Sequence, residues 1–284
     1  MKDLIISIDA TGDLTKELEE KYNICHVDMD FFVGEDQYNT NNDDVVSSNI
    51  YERMRKGERT STSQLNETIY EEYFSNLIKE NKPIVHITLS SGLSGTYNSA
   101  VAVAEKFNNI GANIKIVDSI GGSSGQGLLA MLARDFSENA KSVDEVVNYL
   151  ETTKRNFSYH FTVDNLKYLA QGGRISGTAA VVGNLLNIKP IIKADENGKL
   201  FSFMKVISRK KALKTLVNLF KENVKEKTKY CFVSHADSEN DAMLLKSMIE
   251  EFSNVKVYVT NIGPVMGSHC GPGTVALFYE SNKK

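Results

Sequence analysis

The sequence predicts a two-domain α/β protein, with a parallel sheet in the first half and a mixed sheet in the second. Three observations carry that prediction. Short apolar runs alternate with segments of helical spacing, the pattern of βαβ units around a parallel sheet. An Asn-Gly pair, Asn197–Gly198, separates two later apolar runs and marks an antiparallel hairpin. The length, 284 residues, is that of about two ordinary domains. We place the division at residue 155, giving domains 1–155 and 156–284.

In chain order, LIISID (4–9) is the first strand and LTKELEEKY its helix. The polar stretch 37–63 reads as a hairpin end, a helix and an excursion whose tip is TSTSQ. PIVHITLS (83–90) and IKIVDS (114–119) are the next strands, followed by the helices TYNSAVAVAEKF and GLLAMLARDF. The amphipathic SVDEVVNYLETTKR closes the first half. FSYHFTV opens the second half as a strand, and a helical piece follows that ends at QGGRIS (171–176). KPIIKAD and KLFSFMKVIS flank the Asn-Gly turn. YCFVSHA, a helix over about 238–252 and VKVYVTNIG form one more βαβ-like unit, and TVALFYE is the last strand.

Composition narrows the function. A net charge of -3, with no block of lysine and arginine, leaves no electrostatic footprint for nucleic acid or a membrane surface. The apolar run at the N-terminus breaks at Asp9, too early for a signal peptide, and no stretch approaches the ~18 apolar residues that span a bilayer. Cys25, Cys231 and Cys270 form no C-x-x-C pair, and no two histidines stand at i, i+4, so neither a disulfide framework nor a metal is expected. The chain reads as cytoplasmic.

Ligands of open α/β sheets bind beyond the carboxyl ends of the strands. Thr11, Ser94 and Ser119 follow three strands and are expected to line one edge. The richest of these turns is LSSGLSGTYNSA (89–100), with Ser90, Ser91, Ser94 and Thr96 in seven positions. A nucleophile elbow needs G-x-S-x-G, and here the second glycine, Gly95, comes one position early. Two readings remain beside it: Ser94 as a plain N-cap, and a helix start whose hydroxyls and free amides hold an anion. Four hydroxyls exceed what a cap needs, which favours the anion.

Other stretches offer less. The tip holding Thr60, Ser61, Thr62 and Ser63 is a solvated turn or a ligand contact. GPVMGSHCGPG (263–273) has the glycine and proline density of a fixed, irregular path over a pocket, with His269 at its centre. His86 and His235 sit within apolar strands and read as satisfied core residues; His26 and His160 look equally structural. GGSSGQG (121–127) is a tight strand-to-helix turn, and neither a dinucleotide fingerprint nor a phosphate loop is present. Arg174, after two glycines that end a helix, is a solvated cap or faces a partner.

Read together, DATGDL (9–14), TSQL (62–65), SSGLSGTY (90–97), DS…GQG (118–127), LKYLAQGGRIS (166–176) and GPVMGSHCGPG resemble the DegV family of bacterial proteins, in order over nearly the whole chain. Two positions depart from the family pattern. Ala10 stands where a serine is usual after the first aspartate, and Leu65 stands where a proline is usual after T-S-Q.

The resemblance implies a DegV-like two-domain fold with a long-chain fatty acid buried between the domains, and no other cofactor. It implies that the protein is not itself an enzyme but the lipid-binding subunit of a fatty acid kinase. A separate ATP-binding subunit would phosphorylate the carboxylate to acyl-phosphate for phospholipid synthesis. Residues 1–155 would supply the carboxylate-binding loops, and residues 156–284 the acyl-chain pocket and the His269 loop. By the same resemblance Thr62, Ser94 and Gly95 hold the carboxylate with His269 hydrogen-bonded nearby, while Arg174 and Arg209 meet the kinase subunit. Apolar residues of AAVVGNLLNIKPII and FSFM are candidates for the tunnel wall. The alternatives are a lipid hydrolase or acyltransferase using Ser94 and His269, and a fatty acid carrier without a kinase.

Overall fold

The computed structural model describes residues 3–41, 47–175 and 187–282. Its first half is built on a four-stranded sheet of order β2-β1-β6-β7, every neighbouring pair parallel. The strands are β1 (Ile5–Asp9), β2 (Ile24–Val27), β6 (Ile84–Thr88) and β7 (Ile114–Asp118). The two central strands are buried at every position, including their polar residues Ser7, Asp9, His86 and Thr88. The helices of this half are α1 (Lys16–Tyr22), α2 (Ser47–Arg55), α3 (Glu67–Leu77), α4 (Thr96–Asn108), α5 (Ser124–Ser137) and α6 (Val143–Thr153).

A six-stranded mixed sheet forms the second half, in the order β10-β9-β8-β13-β11-β12. It comprises β8 (Phe157–Thr162), β9 (Ile188–Ala194), β10 (Leu200–Ile207), β11 (Tyr230–His235), β12 (Lys256–Asn261) and β13 (Val275–Glu280). Only β11 and β12 pair in parallel. β9 and β10 are antiparallel, as the Asn-Gly turn requires. The helices α7 (Lys167–Gln171), α8 (Arg209–Asn223), α9 (Glu239–Glu250) and α10 (Pro264–Cys270) complete this half.

One helix packs between the two sheets, and α10 of the second half also packs on α2 of the first. α5 is buried from Ser124 to Ala133 and touches β1 and β6 on one side, β11 and β13 on the other. A single apolar cluster therefore runs from Ile6 and Val85 through Leu128 and Met131 to Phe232 and Phe278.

Two expectations need correction. The tip TSTSQ is no solvated turn: Thr60–Thr62 is β5, paired antiparallel to β3 (Asp30–Val33), which also pairs with β4 (Asp36–Asn39). A three-residue hydroxyl strand carries no apolar alternation, so its backbone pairing is invisible in the sequence. The stretch GPVMGSHCGPG is not irregular throughout, because residues 264–270 form α10. Pro264 occupies the first turn, where a missing N–H costs nothing, and Gly271 at φ 77° ends the helix.

Candidate functional site

A slender cavity lies between the two sheets. Its empty space is about 920 Å3 with the open mouth included. Leu89, Leu93, Gly121 and Gly122 line it from the turns after β6 and β7. Tyr159, Phe161, Ala276 and Phe278 line it from β8 and β13, and Val265 and Met266 from α10. None of the FSFM residues lines this cavity. β10 is an edge strand, and Phe201, Phe203 and Met204 are exposed on it. Most of AAVVGNLLNIKPII, residues 179–186, lies outside the described residues, and from the adjoining strand only Ala194 reaches this cavity.

Uncharged polar groups gather at one place on the wall. Thr62, Ser63 and Gln64 come from the end of β5, Ser94 from the turn before α4, and His269 from α10. Thr62 Oγ1 and His269 Nε2 are 2.8 Å apart. Ser94 Oγ accepts from the Thr96 amide at 3.2 Å and lies 2.9 Å from Thr96 Oγ1. The Gly95 N–H at this helix start donates to no protein acceptor among the described residues. Gly95 itself does not line the cavity, and a Cβ on it would meet the exposed end of the Gln64 side chain at 2.5 Å.

Of the four hydroxyls in this turn, Ser94 alone lines the cavity. Ser90 is buried and donates to Gly198 O at 3.2 Å, pinning the β9–β10 hairpin. Ser91 faces solvent, and Thr96 Oγ1 accepts from the Leu65 amide at 3.3 Å. Ser94 is not an N-cap either, because Gly95 holds that position. Thr11 and Ser119 are also absent from the wall. Thr11 donates to Gln126 Oε1 at 2.8 Å and Ser119 to Gly121 O at 2.9 Å. Hydroxyl count overstated the site, since most of these groups serve the turns that shape it.

The two arginines differ. Arg174 is the one cationic side chain among the described lining residues. Its guanidinium donates to Leu93 O at 3.2 Å and to Gly172 O, tying the end of α7 to the Ser94 turn. It is therefore not a free solvated cap. Arg209 lies away from the cavity at the start of α8, where Nε donates to Asp241 Oδ2 at 2.8 Å and a terminal nitrogen to Ser238 Oγ at 3.1 Å.

Burial, and after it the positive charge of Arg174, pushes the His269 pKa down from 6.5 to about 4, so the imidazole is neutral at pH 7. The unfolded chain takes up this proton first as pH falls. The stability contributed by the neutral ring is thus present above about pH 6.5 and is lost toward pH 4. His269→Gln has no such titration, and its urea midpoint should fall less steeply than wild type between those values. Parallel pH profiles would place His269 in water.

No nucleophile–base pair forms between Ser94 and His269. Ser94 is engaged with Thr96, and the other ring nitrogen of His269 lies against Gly172. A Ser–His–Asp chain does exist elsewhere: Ser7 Oγ is 2.8 Å from His86 Nδ1, and His86 Nε2 is 3.1 Å from Asp9 Oδ1. All three are fully buried and none lines the cavity, so this chain is a core network. No helix among the described residues is long and apolar enough to cross a membrane.

A parallel sheet and a mixed sheet closing on a largely apolar cavity, with neutral donors on its wall, define a two-domain α/β fold. Residues 3–282 match the family described as "Uncharacterised protein, DegV family", and the chain belongs to the DegV family. A DegV domain-containing protein of Clostridium perfringens is 37% identical over 100% of this chain and 99% of that protein. A DegV lipid-binding protein from Thermotoga maritima is 30% identical, with a TM-score of 0.87 and full coverage of both chains. A second Thermotoga maritima protein, described as revealing fatty acid binding function, is 28% identical with a TM-score of 0.86, covering 99% of this chain and 100% of that one.

Proposed function

We propose that this protein binds one long-chain fatty acid in the cavity and presents its carboxylate to a separate ATP-binding kinase subunit. The observation that carries the reading is the shape and chemistry of the site: a largely apolar space bordered by Thr62, Ser94 and His269, with the Gly95 amide next in the chain to Ser94. The fatty-acid-binding Thermotoga relative supports the same ligand class. In this reading residues 1–155 supply the carboxylate loops, and residues 156–284 supply His269 and the wall from β8 and β13.

The acyl tail provides the affinity. Burying about fifteen methylenes at ~0.8 kcal/mol each is worth on the order of 12 kcal/mol before the cost of ordering the chain. The head group is held by neutral donors, with neutral His269 among them. An arginine gripping both carboxylate oxygens would blunt their nucleophilicity. Arg174 instead spends two of its N–H groups on backbone carbonyls, leaving an oxygen open. That oxygen attacks the γ-phosphorus of ATP on the kinase subunit, ADP leaves, and the acyl-phosphate passes to phospholipid synthesis. Arg174 and Arg209 face the kinase subunit in this scheme, Arg209 exchanging its contact with Asp241 for a partner carboxylate.

The test has two arms. Organic extracts of protein purified from bacterial cells should contain long-chain fatty acid by mass spectrometry. With ATP and a kinase subunit added, wild type should yield acyl-phosphate and Arg174→Ala at least tenfold less, a change of about 1.4 kcal/mol in the productive complex. Extracts and delipidated protein that never carry fatty acid would overturn the ligand, and lipid-loaded protein that yields no acyl-phosphate would overturn the kinase partner.

A further inference from the structure

A second cavity adjoins the first. It encloses about 910 Å3 of empty space with its mouth included, and lies by the β9–β10 hairpin among Ile120, Phe157, His160, Lys193 and Phe201. The two cavities share only Tyr159 and Ala194. The strand ladder shows why. β8 and β9 pair at Thr162↔Ile191, Phe161↔Ile192 and His160↔Lys193. The next pair in that antiparallel register is Tyr159 with Ala194, and the ladder stops before reaching it. β8 and β9 part at the partition between the two spaces, while β8 stays paired with β13 through Tyr159↔Phe278.

Tyr159 is fixed in this partition. Its ring packs so closely on two turns that a Cβ on Gly121 would come within 2.0 Å of it and one on Gly125 within 2.4 Å. Its hydroxyl donates to Ser119 O at 3.1 Å, and Phe157 and Phe278 flank the ring at 5.3 and 5.8 Å between centroids. Contacts also order the wall from the polar groups inward. Met266 lies one turn before His269 on α10, Met266 meets the Gly122 position, and the neighbouring Gly121 meets Tyr159.

We propose that Tyr159 is the end wall of the acyl slot, and that the split beside Ala194 is the way by which a longer chain continues into the second cavity. Residue 159 is then the specificity-determining position for acyl length. The inference rests on the fatty-acid reading above. Beyond the split, Ile120, Phe157 and Phe201 offer apolar surface to the extra methylenes.

Equal amounts of straight-chain saturated acids from myristic to behenic, competed for delipidated protein and read by native mass spectrometry, test this. Wild type should peak at one length and fall off beyond it. Tyr159→Leu should move the peak to longer acids and raise the behenic-to-palmitic ratio about tenfold, as expected for burying one further pair of methylenes. Tyr159→Phe keeps the wall and should keep the wild-type profile. Ala194→Leu fills the split from the opposite strand and should shift the profile to shorter acids; it decides the matter if Tyr159→Leu does not fold. Folded variants at 159 and 194 that both retain the wild-type profile would overturn the inference. A wild type that takes up none of these acids would instead overturn the fatty-acid reading itself.

Discussion

Asp9→Ala should lower the unfolding free energy by about 3–5 kcal/mol, at the large end of single-substitution effects. Asp9 is fully buried at the end of β1, and its carboxylate accepts three hydrogen bonds. Tyr70 Oη donates to Oδ1 at 2.6 Å, His86 Nε2 lies 3.1 Å from the same oxygen, and the Leu89 amide donates to Oδ2 at 2.6 Å. Removing the acceptor strands buried donors that water cannot reach, at roughly 1–3 kcal/mol each. Leu89 also opens the turn that carries Ser94, so the damage reaches the cavity. Urea unfolding at constant m-value measures the loss. A change below about 1 kcal/mol would mean that the network relaxes around the missing carboxylate.

The double variant Thr62→Val, Ser94→Ala should weaken fatty acid binding about 100-fold or more and leave the matching fatty alcohol nearly unaffected. Each hydroxyl bonded to a carboxylate contributes about 1.5–3 kcal/mol, so two of them govern the head group while the tail contacts persist. Valine suits the short strand β5, which limits the effect on folding. Displacement of a fluorescent fatty acid gives both constants. Equal losses for acid and alcohol would show that the substitutions had reshaped the cavity instead of removing carboxylate donors.

The order of strands and helices is legible because it rests on local chemistry. β1, β6 and β7 are apolar runs, each with a helix behind it, and Asn197–Gly198 turns β9 into β10. The cavity wall is legible only where loops announce themselves, as at Thr62, Ser94 and His269, while Gly95 does not line it. Ser90 and Thr96 look the same as Ser94 in the chain, and only the tertiary path shows that they bind Gly198 and Leu65 instead. Tyr159, Phe161 and Phe278 escape sequence reasoning for a different reason. A ring that borders a cavity and a ring that fills a core have the same residue type and spacing, and here the same rings do both. Arg174 is likewise ambiguous until the fold aims it at Leu93 O.

The placement of α5 bears on how the molecule comes apart. Both sheets pack on that helix, and the apolar cluster around it draws residues from both halves. A chain cut after residue 155 would leave the C-terminal fragment with β11 and β13 bare of their covering helix. Melting should accordingly be one cooperative event, with both sheets losing their packing on α5 together.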